Sequence, residues 1–255
     1  MRITLNKDKN IGKVLYIVEG SKTEKFLLWK IFANIFDYQV EAITRSHPYQ
    51  IFNRKDNPYS KVFVINAAES NIKNIEKDDE FLNNLFIELI ENYDFDIDNA
   101  AIYYLFDRDA ESNTDPIFIK NLLNTLTNSR ENEENYRQGI LLLSYPSIES
   151  FTLSCFKKDC FSLKVNLGSE LKRYLNINNF NQSNINESQL QVAVDNLVDS
   201  LMLINNGNFD IDNFKELNVK IFDLEESTYS QESMFNCLSL LAFSLIDLGL
   251  VEIES

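Results

Sequence analysis

Apolar residues recur along the chain in two distinct patterns, and their alternation sets the expected architecture. Short unbroken apolar runs fall at Lys13 to Val18 (KVLYIV), Lys61 to Ala67 (KVFVINA), Ala100 to Phe106 (AAIYYLF) and Gly139 to Leu143 (GILLL). Their length and their Val, Ile and aromatic content predict buried strands. Helical spacing predicts helices from about Thr23 to Phe36, over Asp79 to Tyr93, and from Pro116 onward through IFIKNLLNTL. Ser21 and Glu24 have the spacing of a capping box, and Asp115-Pro116 offers a cap residue followed by a first-turn proline. A further helix is expected from near Pro146, over YPSIESFTLSCF. Residues 45–60 contain two prolines and no clear period, so they read as a loop. Strands alternating with helices imply βαβ units and a mostly parallel sheet.

The pattern changes after about residue 157. Residues 176–188 (NINNFNQSNINES) are polar and asparagine-rich, as in a linker or long loop. Gln189 to Ile204 and Gln231 to Leu248 read as amphipathic helices. The expected organisation is an α/β domain over residues 1–157 and an acidic, mainly helical extension over 158–255, which suits a chain of 255 residues.

Charge sharpens this division. The net charge of −15 argues against a protein that coats nucleic acid nonspecifically. Residues 1–61 nevertheless carry a net +5 and the remainder −20, so the N-terminal portion can guide a polyanion. Lysines scattered over solvated helix faces give the same count. From residue 178 onward two lysines face thirteen acids. The odd set of Cys155, Cys160 and Cys237, with no C-x-x-C and one histidine, His47, speaks against a disulfide framework or zinc site. That usage fits a reducing cytoplasm, and the polar opening MRITLNKDKN predicts no signal peptide. The most apolar stretch, Met234 to Val251, is broken by Asn236, Ser239, Ser244 and Asp247, so a core or interface element is expected there and no membrane span.

The candidate chemistry lies where apolar runs break into acids. Ligands of open α/β sheets sit beyond the carboxyl ends of the strands. Glu19 ends the first run, and Asp107 and Asp109 follow the run AIYYLF as D-x-D. Clustered carboxylates repel one another, and a divalent cation relieves that repulsion. Gly20 permits a tight turn after Glu19. Lys22 falls in the first turn of the next helix, where a cation opposes the helix dipole. It is a candidate phosphate-binding residue, with plain surface exposure as the alternative. Glu149 follows the run LLLS, where it either serves a metal or simply favours a helix N-terminus. Glu111 has the same ambiguity. His47 has no evident partner, and the spacing of Cys155 and Cys160 lacks two further zinc ligands, so both read as buried thiols.

Together, IVEG-SKTE, the strand-terminal FDRD and LLLSYPSIESF resemble the Toprim domain of topoisomerases, primases and small nucleases. The likeness spans roughly residues 11–156. The third segment looks like the corresponding segment of RloB-like Toprim proteins, relatives of OLD-family nucleases found in bacterial phage-defence loci. Tyr145 stands where asparagine is usual in that segment, and Ser150-Phe151 replaces Leu-Trp. The resemblance implies a Rossmann-like Toprim fold, with a mostly parallel sheet flanked by helices. It makes Glu19 a general acid/base or second-metal ligand, Asp107 and Asp109 the magnesium-binding aspartates, and Glu149 the late catalytic or metal-binding glutamate.

The activity implied is Mg²⁺-dependent (or Mn²⁺-dependent) nuclease action on DNA or RNA, in a cytoplasmic effector of anti-phage defence; a homo-oligomer is compatible with it. A second reading is a regulatory subunit that keeps the fold and docks on a partner ATPase through its acidic C-terminal region. A third, a haloacid-dehalogenase-like phosphatase, rests on FDRDA alone and leaves VEG unexplained.

Overall fold

The computed structural model describes residues 2–20, 22–41, 49–57, 59–66, 72, 79–130, 138–208, 211 and 213–254. It is an α/β protein divided into two compact units. One comprises Asn10–Leu105 and Thr125–Leu141; the other comprises Met1–Lys9, Phe106–Asn124 and Leu142–Ser255.

The first unit is organised around strand β2 (Lys13–Val18), whose residues from Val14 to Val18 have no exposed surface. β2 lies between two parallel neighbours, β5 (Lys61–Asn66) and the first part of β6 (Ala101–Asp107), with Val18 opposite both Asn66 and Leu105. Central strands covered on both faces read as continuous hydrophobic runs, which is how these appear in the sequence. β2 leads into helix α1 (Thr23–Trp29), which continues as π-helical turns over Lys30–Ile35. Inside, Tyr16 stacks on Tyr103 with ring centroids 5.1 Å apart, and Phe32 packs on Tyr16 and Phe52.

Residues 45–60, expected to be a loop, contain strand β4 (Tyr49–Asn53), antiparallel to β5; the short β3 (Gln39–Val40) pairs antiparallel with β4. The strand was hidden because it is short, Gln50 interrupts its apolar residues, and the prolines at 48 and 58 on either side read as loop. Helix α2 (Asp79–Tyr93) falls where the periodicity placed it. Strand β7 (Thr127–Asn128) pairs antiparallel with the start of β8 (Gly139–Tyr145). The sheet is therefore parallel at its centre and antiparallel toward its edges.

The second unit joins three chain segments. Strand β1 (Arg2–Leu5) pairs antiparallel with β12 (Val251–Glu254), from Arg2 opposite Glu254 to Leu5 opposite Val251. Helix α3 (Pro116–Thr125) begins as expected, with Asp115 Oδ1 accepting the Phe118 N–H at 3.0 Å. The end of β8 leads into α4 (Glu149–Phe156), followed by β9 (Lys164–Val165), α5 (Gly168–Ile177) and α6 (Glu187–Ile204). Asn186, inside the expected linker, caps α6 by accepting the Ser188 and Gln189 amides.

Beyond α6 the sequence reading and the structure part. Helix α7 (Phe214–Glu232) was not foreseen, and the helix expected over Gln231 to Leu248 is replaced by β10 (Phe235–Asn236), β11 (Leu238–Ser239) and the short α8 (Leu241–Asp247). Ser233 adopts a left-handed conformation, φ 55°, and ends α7. The next residues pair with distant strands: β10 with β9, and β11 with the end of β8.

The division at residue 157 is not where the units separate. The side-chain amide of Asn196 on α6 donates to the carbonyls of Ser154 and Lys157, so α4 and the later helices share one core. Within the first unit the strands follow the order β6–β2–β5–β4–β3. Among the described residues, no helix is long and apolar enough to cross a membrane.

Candidate functional site

Glu19 belongs to the first unit. Its N–H donates to Leu105 O at 3.1 Å, extending the parallel ladder one residue past β2, and its carbonyl accepts the Asn66 side-chain amide at 2.9 Å. The chain then turns at Gly20, whose N–H donates to Glu24 Oε1 at 2.9 Å. A β-carbon at position 20 would meet the Glu24 carboxylate, so glycine here leaves room for this approach. The expected capping box is only partly visible: Ser21 lies outside the described residues, and Glu24 reaches back to Gly20. Lys22 is exposed at the start of α1, and its carbonyl accepts the Phe26 N–H.

The remaining candidate acids lie in the second unit. β6 ends at Asp107, so the D-x-D pair straddles the strand end and does not lie on one extended segment. Asp107 Oδ1 accepts the N–H of Ile148 at 2.8 Å, which ties FDRD to the turn before Glu149. Asp109 Oδ1 accepts the Glu111 N–H at 3.0 Å. Both aspartates are half-buried, and Glu111 is exposed.

Arg108, between them, is only 2% exposed. Its Nε and Nη2 donate to the two carboxylate oxygens of Glu226 on α7 at 2.5 and 2.8 Å, and Nη1 donates to Asn113 O at 2.8 Å. Its guanidinium also lies over the rings of Phe222 and Phe235. Asn113 in turn donates its side-chain amide to Asp107 O at 2.7 Å and its backbone N–H to Asp109 O at 2.8 Å. Residues 107–113 thus close on themselves and are anchored to α7.

Glu149 opens α4 and is 5% exposed. Its Oε2 accepts the Ser147 hydroxyl at 2.7 Å, and its Oε1 lies 3.3 Å from Lys172 Nζ. The carboxylate is therefore hydrogen-bonded and charge-paired within the protein. Sequence reasoning missed Arg108, Asn113, Glu226, Ser147 and Lys172. An arginine between two candidate ligands was the one available signal, because its partner Glu226 is 118 residues away.

Nearby on α7, Glu225 has no exposed surface and accepts both the N–H and the side-chain amide of Asn236 at 2.9 Å. Burial pushes its pKa up to about 7. The hydroxyl of Tyr145, also fully buried, has no hydrogen-bond partner among the described residues, and burial raises its pKa, with the Glu225 charge adding to the effect. Cys155, Cys160 and Cys237 are free, buried thiols whose pKa values burial raises, to about 12 for Cys160 and Cys237. They pack as core residues, as expected. His47 lies outside the described residues.

The expected ligand set was Glu19, Asp107, Asp109 and Glu149. Among the described residues, no group of three or more His, Cys, Asp or Glu side chains stands together so as to hold a metal ion. A smaller set suits magnesium, which keeps several waters and takes one or two protein carboxylates beside the substrate's own phosphates. Asp107 and Asp109 fit that requirement in number and chemistry. Compared with known proteins, the chain matches no family model, no curated protein and no solved structure.

Proposed function

We propose that the chain is a Mg²⁺-dependent, or Mn²⁺-dependent, phosphodiesterase of the Toprim kind that cleaves DNA or RNA. The observation that carries this reading is the 2.8 Å hydrogen bond from Ile148 N–H to Asp107 Oδ1. Two motif segments far apart in the sequence meet through it, at the end of a strand, where α/β sheets place their ligands.

Asp107 and Asp109 are the residues that would hold the ion. When bound, the ion offsets charge on the phosphate and activates water. Glu19, at the end of β2 in the first unit, is the general acid/base that the resemblance implies. Lys22, exposed at the start of α1 in the same unit as Glu19, remains the candidate for binding phosphate. Glu149, paired with Ser147 and Lys172, holds the turn that presents the Ile148 N–H. The cytoplasmic anti-phage role is part of the same reading and follows from the resemblance.

The test is cleavage of plasmid, single-stranded DNA and tRNA with Mg²⁺ or Mn²⁺ by the wild type, Glu19→Gln and Asp107→Asn. Wild-type cleavage that falls at least 100-fold in both variants is expected. Equal activity in all three proteins, or none in the wild type, overturns the reading.

A further inference from the structure

The Arg108–Glu226 pair lies between the two proposed metal-binding aspartates, and its placement is unusual on energetic grounds. The Arg108 side chain is 3% exposed and that of Glu226 21%. Removing such a pair from water costs about as much as its attraction returns, and well-packed apolar residues often stabilise a fold equally well. Stability alone therefore gives little reason for a bidentate ion pair here. What the pair supplies is geometry: an arginine held by both carboxylate oxygens has a fixed position and orientation.

That fixed position is passed to the aspartates through bonds already described. Arg108 Nη1 holds Asn113 O, and Asn113 holds the carbonyls of Asp107 and Asp109. The backbone on either side of Arg108 is thereby fixed relative to α7. The adjacent residue of α7, Glu225, binds Asn236 of β10.

We infer that Glu226 is a positioning residue for the Asp107–Asp109 pair, so that helix α7 sets the divalent-metal affinity of a motif more than a hundred residues earlier in the chain. This rests on the metal-binding reading of the two aspartates. Glu226 itself touches neither ion nor substrate; it acts through Arg108 and Asn113.

A neighbouring contact supplies the control. Lys120 on α3 pairs with Asp223 on α7 at 2.6 and 2.7 Å, anchoring the same helix without touching Arg108. Its partners are exposed at 43% and 51%.

The experiment measures Mn²⁺ affinity by calorimetry or by electron paramagnetic resonance on the full chain. The proteins compared are the wild type, Asp107→Asn, Glu226→Gln and Asp223→Asn, each at a temperature where circular dichroism shows it folded. The wild type is expected to bind Mn²⁺, Asp107→Asn to lose binding, Glu226→Gln to bind about tenfold more weakly, and Asp223→Asn to match the wild type. If Glu226→Gln does not fold, Glu226→Asp keeps the charge with a shorter reach and is expected to weaken binding by a smaller factor.

Wild-type affinity in Glu226→Gln, or in its Asp substitute, overturns the inference while leaving the metal reading intact. Equal weakening in Asp223→Asn also overturns it, because the effect is then general loosening of α7. A wild type that binds no Mn²⁺ removes both.

Discussion

Gly168, the first residue of α5, lies against Ser147: a β-carbon there would come within 2.7 Å of the serine Oγ and 2.9 Å of its Cβ. The serine hydroxyl is the group that holds Glu149 Oε2. The absence of a side chain at residue 168 therefore helps determine where the acid after β8 stands.

Gly168→Ala is expected to push Ser147 away from Glu149 and to destabilise the protein by about 1–3 kcal/mol, the usual range for overpacking. Adding Ser147→Gly, which removes both clashing atoms, should recover much of that loss. Urea unfolding of the single and double variants measures this. A Gly168→Ala protein as stable as the wild type would show that Ser147 has room to yield.

The two charge pairs around the candidate site should differ sharply in their contribution to stability. Lys172 is 61% exposed on its side chain and Glu149 only 6%, and Glu149 keeps the Ser147 hydrogen bond, so Lys172→Ala should cost about 1–2 kcal/mol. Glu226→Ala leaves the buried Arg108 guanidinium without its anion and should cost about 3–5 kcal/mol. Guanidinium chloride titrations of both variants give the comparison, and similar losses would contradict it.

Glu225 makes folding pH-dependent. Its pKa in the folded protein is raised from the ordinary 4.5 to about 7, chiefly by burial, against the hydrogen bonds from Asn236 and the attraction of Lys164, while the Glu226 charge adds to the rise. The folded state holds the proton more tightly than the unfolded chain does. The stabilisation is therefore fully present below pH 4.5 and is lost as pH rises toward and through 7, by an amount on the order of 3 kcal/mol. Glu225→Gln should flatten this dependence between pH 5 and 8. Melting temperatures of the wild type and variant across that window decide the matter, and parallel curves would rule Glu225 out as the source.

The central strands were legible because burial on both faces leaves a continuous apolar run, as in β2, β6 and β8. Helix starts governed by one side chain were legible too, as at Asp115. α7 was not, because its buried face includes Asn218 and Glu225 as well as Phe214, Leu217, Ile221 and Phe222. Nor were β10 and β11: their local pattern resembles a helix, and only pairing with β9 and β8 makes them extended.

The site divides in the same way. Acids that end apolar runs can be seen from neighbouring residues alone. The partners that orient them cannot, since Glu226 and Lys172 reach Arg108 and Glu149 only once the chain has folded.

The pairing of β1 with β12 also constrains when this architecture can form. Synthesis proceeds from the N-terminus, so β1 emerges early and waits without its mate until Val251–Glu254 has been made. Asp107 and Asp109 likewise precede the glutamate that braces their arginine. A chain halted before residue 214 carries the acids without that brace. Excising residues 178–255 would likewise dismantle the core shared by α4 and α6, so single substitutions, and not truncations, are the means of probing the acidic C-terminal region.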